Sequence, residues 1–146
     1  MKYTCEVLIN KPRVEAIELF DNPDNMKYWQ KGLVKFEHIY GEPGKPGAES
    51  RLIYKMGKRT IEMIETINFN NLPEAIHSNY VTRGVTNMQK NHFKEEGEKT
   101  RWISDAEFKF KGFMKIMSFF MGKSMFKKQT LSYMEDFKAF AEKNQN

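Results

Sequence analysis

Apolar and polar side chains alternate along most of this chain, and only in its last third does the spacing lengthen to that of a helix. Tyr3, Cys5, Val7 and Ile9 fall on one side of an extended segment and Thr4, Glu6 and Leu8 on the other, the pattern of a strand with one buried face. Asn10 can cap a helix and Pro12 suits a first helical position, so Val14, Ile17, Leu19 and Phe20 give a short helix ending near Asp21-Asn22-Pro23. A second short helix is predicted over Asp24–Gln30, stopping before Gly32. Glycines then separate six runs, Leu33–Tyr40, Ala48–Met56, Arg59–Phe69, Ile76–Thr82, Val85–Phe93 and Lys99–Lys111, each predicted as a strand. Links as short as Gly57-Lys58 and Glu95-Glu96-Gly97-Glu98 make consecutive strands antiparallel neighbours.

The last of these strands alternates most cleanly. Trp102, Ser104, Ala106, Phe108 and Phe110 share one face; Arg101, Asp105, Glu107, Lys109 and Lys111 share the other. Small Ser104 and Ala106 between aromatic rings leave room at mid-strand. Ser50, Leu52, Tyr54 and Met56 form the drier face of their strand. Around Gly84 the phase stays open, since Tyr80 and Thr82 or Asn79 and Val81 can point inward.

From Ser124 to Glu142 the period changes. Ser124 is a good N-cap, and Thr130, Leu131, Met134, Phe137, Phe140 and Ala141 recur at three- and four-residue steps, drawing one apolar stripe along a helix of roughly 28 Å. A one-sided helix of that length needs a broad surface to lie on. The expected architecture is α+β: a seven-stranded curved antiparallel sheet covered by a long C-terminal helix, with two short helices after the first strand. No repeat, low-complexity tract or linker interrupts it, so residues 1–146 read as a single domain.

Composition narrows the picture. The chain has 146 residues, 40% of them apolar, with 12 Phe, 6 Tyr and 2 Trp, enough for a real core. One cysteine, Cys5, excludes an internal disulfide, and the amino end lacks the apolar core and cleavage site of a secretory signal. The expectation is a cytoplasmic, reduced protein. The net charge of +5 is uneven: Lys111, Lys115, Lys123, Lys127 and Lys128 have no acid among them. Such a run most simply makes a solvated face, and otherwise suits anionic lipid; no nucleic-acid reader motif accompanies it.

Ile9-Asn10-Lys11-Pro12-Arg13-Val14-Glu15-Ala16-Ile17, then Asp21-Asn22-Pro23-Asp24 and Tyr28-Trp29, resembles the opening of the SRPBCC superfamily (START, polyketide cyclase/dehydrase and birch-pollen-allergen-like proteins). Gly44-Lys45-Pro46-Gly47, Gly97-Glu98-Lys99-Thr100-Arg101 and the terminal helix are similar to that family's later landmarks. The resemblance covers essentially the whole chain, and its motifs are structural: Pro12 and Trp29 mark the fold and carry no chemistry. It implies the helix-grip fold, a curved sheet gripping the last helix around an apolar cavity. Members bind lipids, sterols, polyketides, hormones or quinones, and some are cyclases or dehydrases. No catalytic residue is common to them, so none is carried over.

Searching for chemistry returns little. P-loop, GxGxxG and HExxH motifs are absent, and no cofactor is implied. His38, His77 and His92 lie on three strands without metal-ligand spacing and read as strand residues. Cys5, on an apolar face, reads as a buried inert thiol. Glu65 shares a face with Ile61, Met63, Ile67 and Phe69; an inward carboxyl is costly, so a bulge turning it to water is preferred over an acid/base role. Phe113-Met114-Lys115-Ile116-Met117-Ser118-Phe119-Phe120-Met121, with Met125 and Phe126 beyond it, reads either as ordinary core or as an adaptable wall or gate at the cavity lip.

The function expected is binding or carriage of a small hydrophobic or amphipathic ligand between sheet and terminal helix. Its candidate contacts are Tyr54, Met63, Glu65, Tyr80, Trp102, Ser104, Phe108, Met117, Phe120, Met121, Thr130, Met134 and Phe137, with peripheral membrane contact through segment 111–128. The alternatives are a cyclase/dehydrase-type enzyme using the same cavity and a protein-interaction module.

Overall fold

The computed structural model describes residues 1–143. In chain order the elements are β1 (Lys2–Ile9), α1 (Arg13–Phe20), a 3-10 turn (Pro23–Asn25) running into α2 (Met26–Trp29), β2 (Leu33–Tyr40), β3 (Glu49–Met56), β4 (Arg59–Asn71), β5 (Ala75–Thr82), β6 (Val85–Glu96), β7 (Lys99–Phe110), α3 (Phe113–Met121) and α4 (Lys123–Lys143). All seven strands join one antiparallel sheet in the order β1-β7-β6-β5-β4-β3-β2. The hairpin links make β2 to β7 sequential neighbours, and β1 then pairs with β7, from Lys2 opposite Glu107 to Ile9 opposite Thr100. With α4 on its concave side, this is the helix-grip architecture.

The alternation of β1 and β7 puts Tyr3, Cys5, Val7, Ile9, Trp102, Ser104 and Ala106 in the interior. Helix α4 lies along β1 and runs the same way. Tyr3 Oη donates to the Phe126 carbonyl, Lys138 Nζ donates to the Leu8 carbonyl at 2.7 Å, and the Asn10 N–H donates to Glu142 Oε2 at 2.8 Å. Tyr3 to Asn10 on a strand and Phe126 to Glu142 on a helix both cover roughly 24 Å at standard rises, so the contact is kept end to end. Phe137 is wholly buried from this helix, its ring 5.1 Å from Trp29, 5.6 Å from Trp102 and 5.7 Å from Phe20. Burial of that one ring contributes about 1.5–3 kcal/mol.

Several local expectations change. Asn10 does not cap α1; Pro12 occupies the cap position, with no side-chain hydrogen bond. Helix α4 begins at Lys123, which puts Ser124 inside the first turn. Segment 113–121 is a helix in its own right, set apart from α4 by Gly122 at φ 77°, and none of its residues is buried. It is therefore not core. A bulge does occur in β4, but between Ile67 and Phe69; it turns Phe69 outward against the His77 ring, 5.0 Å away, and leaves Glu65 facing in.

Candidate functional site

Because α4 docks along the edge strand β1, the concave face of β3 to β6 is left without a helix directly over it. The N-terminal half of α4, with Phe126, Gln129, Thr130, Tyr133 and Met134, and α2, with Met26 and Trp29, close only part of that space. A cavity of about 280 Å³ remains, at the low end of the range for small-molecule sites. Its apolar wall is Phe20, Leu52, Met56, Ile61, Met63, Val85 and Phe108 with the side chains just named. Among the described residues that line it, none carries a formal charge.

A polar strip crosses this wall. Asn87, Gln89 and Asn91 stand at alternate positions of β6 and project into the cavity together. The hairpin register sets their neighbours: Tyr80 on β5 and Phe108 on β7 flank Asn87, and Ser104 lies beside Asn91. Asn91 Oδ1 accepts from Trp102 Nε1 at 2.9 Å, and the Tyr54 hydroxyl donates to Gln30 Oε1 at 3.2 Å. Three buried polar atoms on lining residues have no partner in the protein: Trp29 Nε1, Asn87 Oδ1 and Ser104 Oγ. One is a donor, one an acceptor and one both.

Glu65 lies opposite Ser50 on one side and Tyr80 on the other, on the inner face of β4. Burial pushes its carboxyl above the ordinary carboxylate value, partly opposed by a hydrogen bond with Tyr80. The Tyr80 hydroxyl is pushed up in turn, first by burial and then by Glu65; burial likewise raises Tyr54. Glu65 is not itself on the cavity wall; Tyr80 connects it to the cavity.

Of the residues singled out from sequence, Tyr54, Met63, Tyr80, Trp102, Ser104, Phe108, Thr130 and Met134 are brought together around the cavity. Phe137 sits behind them in the aromatic core. Met117, Phe120 and Met121 lie on α3 and are not among the lining residues, Met121 packing against the edge of the core. Sequence reasoning missed Asn87, Gln89 and Asn91, and the only available signal was their alternation once Tyr80 is known to face inward. Cys5 is buried, its thiol raised chiefly by that burial. His38 Nε2 is 2.6 Å from the Gly41 carbonyl oxygen, and His77 and His92 pair on neighbouring strands with ring centroids 5.5 Å apart. Among the described residues no group of three His, Cys, Asp or Glu could hold a metal ion.

Sheet, gripped helix and the cavity between them together define a helix-grip protein. The same fold recurs in solved structures at low sequence identity. The Zhui aromatase/cyclase from a Streptomyces strain superposes with a TM-score of 0.80 at 10% identity, over 98% of this chain and 94% of that one. A major latex-like protein from Panax ginseng gives 0.74 at 15%, over 97% of each chain. Norcoclaurine synthase from Thalictrum flavum, in complex with dopamine and hydroxybenzaldehyde, gives 0.73 at 11%, over 100% of this chain and 88% of that one. No protein-family model and no curated protein sequence matches the chain. At these identities the likeness is one of fold.

Proposed function

We propose that the protein binds and carries one small hydrophobic or amphipathic ligand, of the lipid, polyketide or quinone class, in the cavity between sheet and α4. The observation that carries this reading is the pairing of an apolar, charge-free wall with three unpartnered buried polar atoms, Trp29 Nε1, Asn87 Oδ1 and Ser104 Oγ. Buried polar atoms without partners are costly, and a ligand with its own donor and acceptor offsets that cost with small shifts of these side chains. Tyr54, Met63, Tyr80, Trp102, Phe108 and Met134 are its proposed contacts. The aromatase/cyclase and norcoclaurine synthase folds support the reading by analogy only. The cytoplasm as compartment is part of the proposal and rests on the lone Cys5.

Native mass spectrometry of the purified protein, followed by displacement of a fluorescent fatty-acid probe, tests it. A co-purifying small molecule or saturable probe binding is expected; no bound mass and no probe binding would remove the carrier reading. An enzymatic reading is favoured by one observation, the inward Glu65 set opposite Tyr80 across the β4–β5 ladder, its carboxyl raised by burial, a pair able to move a proton at the cavity wall. If a ligand identified in the cavity is converted, Glu65→Gln should slow that conversion by about 10²-fold or more; unchanged turnover excludes the role.

A further inference from the structure

Helix α3 wears its apolar side outward. Phe113 is 72% exposed, Ile116 59%, Phe119 84% and Phe120 77%, while Met114, Met117 and Met121 are only half-buried against the body. A surface helix in water normally shows the reverse pattern. Lys111 and Lys123 flank the helix in the chain, Lys115 lies on it, and Lys127 and Lys128 follow in the first turns of α4, all exposed. The five account for the whole net charge of +5, since the other 19 basic residues are matched by 19 acidic ones. Among the described residues no carboxylate forms an ion pair with any of the five.

We propose that α3 docks the protein on an anionic lipid surface, its phenylalanines entering the interfacial layer and the lysines meeting the headgroups. Exposed aromatic and aliphatic side chains with flanking lysines are what an interfacial helix requires, each signal being weak alone and sufficient together. Among the described residues no helix is long and apolar enough to cross a bilayer, so α3 lies on the surface. A second copy of the chain fits the face less well. A two-fold contact through α3 would bring Lys115 and the flanking Lys111 and Lys123 of both copies together.

The docking helix also adjoins the cavity. The Lys111 N–H donates to the Gly84 carbonyl in the β5–β6 turn, and Met114 packs on Gly84. Thr82 and Val85, on either side of that turn, line the cavity, as does Phe126 in the first turns of α4. A bilayer touched by α3 would therefore face this end of the cavity, where a lipid-soluble ligand can pass between membrane and protein. That exchange rests on the carrier reading; the docking does not.

Flotation with vesicles of phosphatidylcholine, with and without phosphatidylglycerol, tests the docking. Wild-type protein should float with the mixed vesicles, stay behind with phosphatidylcholine alone, and be released by high salt. Phe113→Ser/Phe119→Ser and Lys115→Gln/Lys123→Gln should each weaken binding about tenfold or more, with circular dichroism and fatty-acid probe binding unchanged. Equal flotation with both vesicles, undiminished binding of either variant, or no flotation overturns the proposal. So does a dimer in light scattering that Phe113→Ser/Phe119→Ser converts to monomer, or an acidic protein partner captured at α3 by protein that does not float. Intact docking with no probe binding would sink the carrier reading alone.

Discussion

Burial of Glu65 beside Tyr80 ties the ionisation of one carboxyl to folding. Its folded pKa lies above the ordinary value of 4.5, so below that value the group costs nothing, and stability is lost as pH rises through the folded pKa. Glu65→Gln keeps an acceptor for Tyr80 and removes the titration. The variant is expected to match wild type in acid and to melt higher at neutral pH, as read by thermal denaturation across that range; equal melting at neutral pH refutes the buried carboxyl. Phe137→Ala, which empties the centre of the aromatic core, should cost about 3–5 kcal/mol in denaturant unfolding. At this scale the sequence is only half legible. Alternation places Glu65 with Ile61 and Met63, but desolvation cost favours turning it outward, and nothing in the string of residues shows that the bulge falls two positions later. Asn87, Gln89 and Asn91 go unassigned because the phase of the strands around Gly84 stays open. Polar side chains lining a cavity and polar side chains facing solvent have identical periodicity, and only the register of Tyr80 opposite Asn87 separates them.

Strands are more legible because period-two alternation and glycine-marked turns are local properties of the chain, and β2 occupies the expected residues from Leu33 to Tyr40. Helix α3 reads from sequence as core or as a wall at the cavity lip; none of its residues is buried, and it adjoins the cavity through the β5–β6 turn without lining it. With Lys115 and Ser118 its only polar residues, its pattern does not distinguish the side it packs from the side it shows. What fixes α3 in place is the β5–β6 turn. Gly84 has φ 73°, and a Cβ there would meet Met114 Cγ at 3.0 Å and the Lys111 carbonyl oxygen at 3.1 Å; Gly57 has φ 64° and open space. Gly57→Ala should therefore cost only the left-handed strain, about 1–2 kcal/mol. Gly84→Ala should cost more and should also loosen α3, seen as faster amide exchange over residues 113–121. Equal costs with unchanged exchange would show that Met114 does not anchor the helix.

For the molecule as a whole, the departure of α4 from the middle of the sheet is what creates a site. The helix follows β1 because hydrogen bonds at Tyr3, Leu8 and Asn10 hold it there, and the aromatic core of Phe20, Trp29, Phe93, Trp102 and Phe137 fills one end of the concavity, leaving the other open. Trp29 and Trp102, the only tryptophans, border both regions with ring centroids 6.1 Å apart. Any occupant of the cavity contacts their indoles, so titration with a bound ligand should quench or shift intrinsic emission with a single saturable curve. The same occupant must stabilise the fold by mass action. At a hundredfold excess over its dissociation constant the gain is about 2.7 kcal/mol, which for a chain of this length raises the melting temperature by roughly 5–11 °C. A small molecule bound elsewhere can reproduce the thermal shift but not the coupled change in emission. The two curves should therefore give one affinity, and Met63→Trp, which fills the cavity from β4, should abolish both while the protein still unfolds cooperatively. Two different affinities, or binding that survives Met63→Trp, would place the ligand outside the grip of sheet and helix.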